Sequence, residues 1–155
     1  MYRTYYTHQE SNDWASKVVT DKPLGYIERL QLALFAKHSR LDLVHKSMPP
    51  PILVNLLWTL PIIRDIVKGR SGWLEPQRGN LLDVGCGNGD FLALMDYIGW
   101  DVTGIEPDVQ ACQIVRDRFQ LSVLQGTLET VRLEPRTFDA ITAFHVIEHM
   151  ERPLK

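Results

Sequence analysis

The most constraining feature of this sequence is the stretch LLDVGCGNGDFL, which spans residues 81–92. A short apolar run ends in Asp83, and Gly85, Gly87 and Gly89 follow with one residue between each pair. Glycine adopts backbone angles that other residues avoid, and it lets a ligand lie against bare main chain. The stretch therefore predicts a strand, a tight loop and a helix N-terminus, which together can bind an anionic group.

The glycine spacing argues against two common phosphate-binding loops. The dinucleotide fingerprint G-x-G-x-x-G needs a third glycine where this chain has Asp90, and the Gly-Lys-Ser/Thr of a P-loop does not occur. Glu106 lies 17 residues beyond Gly89, at the end of a second apolar run. A carboxylate in that place can accept both hydroxyls of a ribose. A nucleoside ligand is therefore predicted, while Asp108 is expected to be an exposed acid that opens the next helix.

Four short apolar runs predict a parallel sheet. They lie at 81–84, 102–105, 121–124 and 140–144, and helical stretches at 90–97 and 108–119 separate the first three. Near-continuous apolar strands that alternate with helices are typical of a parallel sheet covered on both faces. The predicted fold class is α/β, a doubly wound Rossmann-like sheet, in which ligands bind at the carboxyl ends of the strands.

The first half of the chain has a helical pattern. From Leu24 the apolar residues recur at intervals of three and four, prolines at 49–51 end that helix, and a second, shorter helix begins at Ile52 with a kink or break at Pro61. A polar, turn-rich linker follows at 75–79. Two domains are expected: residues 1–78 as a helical N-terminal extension or lid, and residues 79–155 as the ligand-binding domain.

Composition narrows the classes of function. The 155 residues carry a formal net charge of −2 with scattered lysines and arginines, so no nucleic-acid partner is expected. The two cysteines lack metal-ligand spacing, which favours a reducing, cytoplasmic setting. The apolar stretch 52–67 contains Asn, Pro, Arg and Asp and is shorter than the ~20 apolar residues that a spanning helix needs. No transmembrane segment is expected.

Four motifs together are similar to those of a known enzyme family. LLDVGCGNGDFL, GIEPD (104–108), QGTLE (125–129) and FDAITAFHVIEHM (138–150) resemble in order and spacing the class I S-adenosylmethionine-dependent methyltransferases, above all a bacterial small-molecule branch. The resemblance covers residues 80–154, about half of the chain. It implies S-adenosyl-L-methionine as cofactor and methyl transfer to an O, N or C atom of a small-molecule, sugar or lipid-linked acceptor.

The resemblance also implies roles for individual residues. Asp83 and the glycine loop would hold the methionine end of the cofactor, Glu106 its ribose, and Thr127 a group near the adenine. Cys86 matches the small residue of the family's loop and is expected to be a buried apolar side chain, not a nucleophile. The full set of implied cofactor-binding residues is Asp83, Gly85, Cys86, Gly87, Gly89, Glu106, Pro107, Gly126, Thr127, Leu128, Phe144 and His145.

The segment from His145 to His149 reads H-x-x-E-H, which matches an inverted zinc-protease motif. Its first histidine ends an apolar run and does not lie on a helix, so no metal is predicted. A divalent metal, held as in relatives that read E-x-x-E-H, is the weaker alternative because His145 replaces the first glutamate. His145 and His149 are candidate general bases for a hydroxyl or amine acceptor. A lining role for His145 and a helix-capping role for His149 are equally compatible with the sequence.

The family resemblance implies about three further strands beyond the fourth. The chain is therefore expected to be the N-terminal portion of a larger methyltransferase, with weak or no activity alone. The alternative is a catalytically silent S-adenosylmethionine-binding module that acts in assembly or regulation. A nicotinamide dehydrogenase is disfavoured by Asp90. A homodimer is possible through the N-terminal helices or through an exposed edge strand.

Overall fold

The computed structural model describes residues 17–18, 23–41, 48–70, 72, 74, 79–134, 137–144 and 146. Backbone contacts divide the chain into two compact units. The described residues of the first unit lie between 17 and 74, and those of the second lie between 79 and 146.

The first unit contains three helices, α1 (Tyr26–Ser39), α2 (Pro51–Trp58) and α3 (Pro61–Arg70). The Glu28 carboxylate accepts a hydrogen bond from the Gly25 amide at 2.7 Å and so caps the start of α1. Proline begins both α2 and α3, a position where its missing N–H costs nothing. The predicted break at Pro61 is therefore the boundary between two separate helices.

The second unit is built on a four-stranded parallel sheet of β1 (Asn80–Val84), β2 (Asp101–Glu106), β3 (Ser122–Gln125) and β4 (Ala140–Thr142). The strand order is β3-β2-β1-β4. Two successive connections run in one direction, and β4 then pairs on the other side of β1. Such a reversal opens a crevice at the carboxyl ends of the strands. The crevice of this sheet lies between the ends of β1 and β4.

Helix α4 (Asp90–Tyr97) connects β1 to β2, and helix α5 (Val109–Ile114) follows β2. The stretch 108–119 was expected to be one helix, but α5 continues as a π-helical turn over Val115–Phe119. Right-handed crossovers place both connections on one face of the sheet. The other face carries a cluster of Leu82, Val84 and Ile105, which is covered by Leu124, Val131, Leu133, Phe138 and Val146. Apart from Leu124, which belongs to β3, the described residues of this cover lie in irregular segments and not in a helix.

Gly104 of β2 is a point of close packing in the sheet unit. A Cβ atom at this position would lie 2.5 Å from Cys86 Sγ and 2.7 Å from Leu92 Cδ1. Gly104→Ala is therefore expected to lower the free energy of unfolding of the sheet unit by about 1–3 kcal/mol. Thermal unfolding followed by calorimetry measures the change.

Gly69→Ala is the matched control for that substitution. Gly69 lies in α3, and a Cβ there has nothing within 4 Å. Because alanine restricts the unfolded chain more than glycine does, this variant is expected to stabilise the helical unit by about 0.5–1 kcal/mol. A Gly104→Ala protein as stable as the original would mean that Cys86 and Leu92 move aside without cost.

Candidate functional site

The glycine loop connects β1 to α4 at the carboxyl edge of the sheet. Gly85, Gly87 and Gly89 have φ angles of 72°, 54° and 81°, which favour glycine over other residues. The amides of Gly85 and Cys86 both donate to the carbonyl of Ile105, at 2.8 and 3.1 Å. The loop is thereby fixed to the end of β2, and Gly89 forms the N-cap of α4.

Glu106 is the best-anchored acid of the site. Its side chain is only 1% exposed, and its two oxygens accept hydrogen bonds from the amides of Gly87 at 2.9 Å and Asp108 at 3.0 Å. Each carboxylate oxygen has two lone pairs, so both can still accept from a ligand. Asp108 is the N-cap of α5 and accepts from the amides of Gln110 and Ala111, as its predicted helix-opening role requires. Glu106 thus joins the glycine loop to the start of α5.

Asp83 is a second buried acid, which lies in β1 just before the glycine loop and is 3% exposed. The hydroxyl of Thr142 donates to Asp83 Oδ1 at 2.7 Å, across the pair that β1 and β4 form in register. The pKa of Asp83 is raised from 3.8 to about 6: burial raises it most, the Thr142 hydrogen bond lowers it, and the charge of Glu106 raises it. The crevice therefore contains a carboxyl group whose ionised form a cationic partner would stabilise.

The two cysteines are structural. Cys86 and Cys112 are both buried, and burial raises the pKa of each thiol. Cys86 packs against Gly104 beneath the loop, while the Cys112 thiol donates to the carbonyl of Glu106 at 3.3 Å. A thiol with a raised pKa forms little of the reactive thiolate. Cys86 thus supports the loop from the interior of the sheet unit.

The segment after β3 forms a compact turn. The Gly126 amide donates to the carbonyl of Glu106 at 3.0 Å, which places the turn next to the end of β2. Thr130 Oγ1 accepts from the Thr127 amide at 2.8 Å and donates to the Thr127 carbonyl at 3.1 Å. The Leu128 side chain is 44% exposed. Thr127 is therefore held by hydrogen bonds within the turn, and the Leu128 side chain is accessible to a ligand.

Two aromatic side chains meet at the end of β4. Phe144 is 48% exposed and packs edge-to-face on Phe91 of α4, with ring centroids 5.1 Å apart. Pro107 is exposed next to Glu106. The predicted site residues of the loop and of the ends of β2 and β4 therefore lie along one edge of the sheet.

The histidine-glutamate cluster lies outside the part of the chain that the structure describes. His145 and His149 are not among the described residues. Among those that are, no group of three His, Cys, Asp or Glu side chains could hold a metal ion. In the same residues, no helix is both long enough and apolar enough to cross a membrane.

The structure adds two residues that the sequence did not single out. Thr142 holds Asp83, and Phe91 supports Phe144. Thr142 was detectable as a polar residue in an apolar strand two positions before Phe144.

Together, the residues of the site provide two buried acids and a glycine-rich turn. These groups suit a ligand that carries a positive charge, hydroxyls and an anionic end.

A family model described as "Methyltransferase domain" matches residues 61–155, more than half of the chain. The chain belongs to the methyltransferase-domain family. This membership confirms the predicted class I S-adenosylmethionine-dependent family, its Rossmann-like fold and its cofactor, S-adenosyl-L-methionine.

Curated relatives of this methyltransferase domain include two named as ubiquinone biosynthesis O-methyltransferases. The mitochondrial protein of Schizosaccharomyces pombe is 34% identical over 80 residues, which are 47% of this chain and 29% of the relative. The protein of Alkalilimnicola ehrlichii is 36% identical over 100 residues, which are 60% of this chain and 39% of the relative. The chain spans less than half the length of these relatives.

Solved methyltransferase structures are also similar to the chain. An amino pentose methyltransferase from Micromonospora echinaspora, solved with SAM bound, shares 24% identity over 68% of this chain and 47% of its own, with a TM-score of 0.45. A putative methyltransferase from Anabaena variabilis shares 19% identity over 59% of this chain and 36% of its own, with a TM-score of 0.46. At TM-scores below 0.5 these likenesses add nothing to the identification.

Proposed function

We propose that the protein is an S-adenosylmethionine-dependent methyltransferase that methylates a small-molecule acceptor. The observation that carries the proposal is the pair of buried acids, Asp83 and Glu106, next to the glycine loop of a methyltransferase domain. The names of the curated relatives support an oxygen atom as the methyl acceptor. A sugar or lipid-linked acceptor, and an N or C atom, are the other chemistries within the proposal.

The residues present fit the cofactor. Asp83 would accept from its ammonium group, and the N-terminus of α4, which follows the loop of Gly85, Gly87 and Gly89, would bind its carboxylate. Glu106 would accept hydrogen bonds from the ribose hydroxyls through the lone pairs that the two backbone amides leave unused. Pro107 and the Gly126–Thr127–Leu128 turn would border the adenine, and Phe144 the methionine part. Cys86 would contribute through the loop that it supports.

When bound, S-adenosylmethionine supplies an electrophilic methyl group for in-line displacement. The chain's own contribution is then mainly to hold the two reactants close together and aligned, which by itself can accelerate such a reaction strongly. Phe144 and Phe91 form an apolar wall at the edge of the crevice, and that wall would exclude water beside the reacting centre. His145 or His149 would accept the proton of a hydroxyl or amine acceptor.

Three further features of the whole protein are part of the proposal. The helical residues up to 78 would act as an extension or lid of the domain at 79–155. The two buried, unbridged cysteines suit a cytoplasmic location. A homodimer would form through the N-terminal helices or through β4, which is at one edge of the described sheet.

Calorimetric titration of the chain with S-adenosylmethionine, S-adenosylhomocysteine and NADH tests the cofactor assignment. Saturable binding of the two adenosyl compounds, with no heat from NADH, is the expected result. Preference for NADH would overturn the proposal. A catalytically silent binding module gives the same titration but no methyl transfer to hydroxylated aromatic acceptors, so turnover separates these two functions.

A further inference from the structure

The helical unit contains a cavity of about 350 Å³ between α1 and α3, with Leu57 of α2 also in its wall. From α1 the lining residues follow one stripe between Ile27 and Phe35, and from α3 they follow another between Ile63 and Arg70. Apart from Gln31 and Arg70, every lining side chain is aliphatic or aromatic. The two helices therefore turn apolar faces toward each other without filling the space between them.

The size and lining of this cavity fall within the range of known small-molecule sites. Small-molecule pockets usually measure roughly 300–1,000 Å³ and combine an apolar wall with a few polar groups. An apolar cavity of roughly 150 Å³ already stays dry and binds benzene. At about 350 Å³ the cavity between α1 and α3 has room for an elongated apolar molecule.

The cavity is accessible along its rim. Ile27 is 64% exposed and Ile66 is 59% exposed, although both line the cavity. Covering apolar side chains lowers the free energy of the protein by about 25 cal/mol for each Å² of apolar surface removed from water. An apolar chain seated between α1 and α3 would cover both residues.

The helical unit is also basic, in contrast to the chain as a whole. Residues 23–41 and 48–70 contain six cationic residues and only two acidic ones, Glu28 and Asp65, whereas the full chain has a net charge of −2. The cations are Arg29, Lys37, Arg40, Arg64, Lys68 and Arg70. Arg70 lies in the cavity wall next to the apolar stripe. Its guanidinium has five N–H donors, so a contact within the protein leaves others for a ligand.

We propose that the cavity between α1 and α3 binds a medium-chain aliphatic molecule with an anionic head group, a carboxylate or a phosphate. The aliphatic chain lies between the two apolar stripes, and the head group pairs with Arg70 at the polar end. This site is independent of the proposed methyl transfer, because all its lining residues belong to the helical unit.

Calorimetric titration of the full chain with decanoate, below its micelle concentration, tests the apolar half of the site. Saturable binding is expected, and Ile66→Asp should weaken it at least tenfold because a carboxylate at the rim repels the head group and wets the cavity. Ile62→Asp is the matched control, since Ile62 is an equally exposed isoleucine of α3, at 67%, that does not line the cavity. Its affinity should stay within twofold of the original. No saturable binding, or equal losses in both variants, overturns the proposal.

The anionic half is tested by a second pair of variants. Arg70→Gln should weaken decanoate binding about tenfold and leave decanol binding within twofold, because only the carboxylate forms charge-assisted hydrogen bonds. Arg64→Gln makes the same charge change on α3 outside the cavity and should alter neither. Equal losses in the two arginine variants would indicate non-specific attraction and overturn the proposal. Binding to anionic phospholipid vesicles without binding of monomeric decanoate would also overturn it, because the surface would then be a membrane contact.

Discussion

Glu106→Ala is expected to lower the free energy of unfolding of the sheet unit by about 2–4 kcal/mol. The substitution removes the acceptor of the Gly87 and Asp108 amides, which are bonded to Glu106 at 2.9 and 3.0 Å in a site where the side chain is 1% exposed. Hydrogen bonds to a charged group contribute about 1.5–3 kcal/mol each, and the removal of a buried charge offsets part of this loss. Denaturant unfolding at pH 7 measures the effect.

The same variant is expected to lose adenosyl binding. If the ribose hydroxyls also bond to Glu106, S-adenosylhomocysteine binding should weaken by about 1–3 kcal/mol under conditions where the variant is still folded. Glu134→Ala is the control, because Glu134 is an exposed acid of the same unit. It should change stability by less than about 0.5 kcal/mol and leave binding unaltered. A Glu106→Ala protein that keeps its full stability would show that the two hydrogen bonds from backbone amides to Glu106 contribute little to the stability of the fold.

Asp83→Asn is expected to stabilise the ligand-free sheet unit by about 1–2 kcal/mol at pH 7. Burial raises the pKa of Asp83 from 3.8 to about 6, so the folded unit holds an ionised carboxylate at pH 7 at some cost. The difference between a pKa of 3.8 and one of about 6 corresponds to roughly 3 kcal/mol, and the cost of burying the amide's N–H groups offsets part of that gain in stability. In the variant, the amide oxygen of residue 83 can still accept the hydrogen bond from the Thr142 hydroxyl.

The pH dependence of that gain has a definite sign. Below pH 3.8 the carboxyl is protonated in both the folded and the unfolded chain, so Asp83→Asn should change little. Between pH 3.8 and about 6 only the unfolded chain ionises, and the original protein loses stability relative to the variant as the pH rises. Above about pH 6 the difference should be constant. Thermal unfolding from pH 3.5 to 8 measures it, and Asp101→Asn, an exposed acid at the start of β2, is the control.

Cofactor binding should respond in the opposite direction. Asp83→Asn removes the carboxylate proposed to accept from the cofactor's ammonium group, so affinity for S-adenosylmethionine should fall at least tenfold at pH 7. In the original protein the affinity should decrease as the pH falls below about 6, because the free protein then binds a proton at Asp83. A variant that is neither more stable nor weaker in binding would exclude a charged Asp83 from both roles.

The order of elements in the sheet unit followed from the sequence because each apolar run and each turn residue reports directly on local structure. Helix α4 spans Asp90–Tyr97 as predicted, β1 differs from prediction by one residue at one end, and β2 and β3 differ by one residue at each end. The π-helical turn at Val115–Phe119 was not predictable, because its side chains suit an α-helix equally well. β4 ends at Thr142, two residues earlier than its apolar run suggested.

The candidate site was predictable in its residues but not in its bonds. Strand ends place Asp83 and Glu106 near the glycine loop, and that much follows from the fold class. The Asp83–Thr142 hydrogen bond depends on the register between β1 and β4, which joins residues 59 positions apart. The direction in which Glu106 turns, toward the loop amides, depends on where those amides point. Neither is encoded in the spacing of residues along the chain.

The contact between Cys86 and Gly104 has a consequence for how related sequences can vary. The sulfur lies 2.5 Å from the place that a Cβ of residue 104 would take, too close for both atoms, although the two residues are 18 positions apart in the chain. A homologue with a side chain at position 104 therefore needs a smaller residue than cysteine at position 86. Substitutions at 86 and 104 are therefore expected to occur as compensating pairs, and Gly104→Ala should be tolerated best in a chain that already carries glycine at position 86.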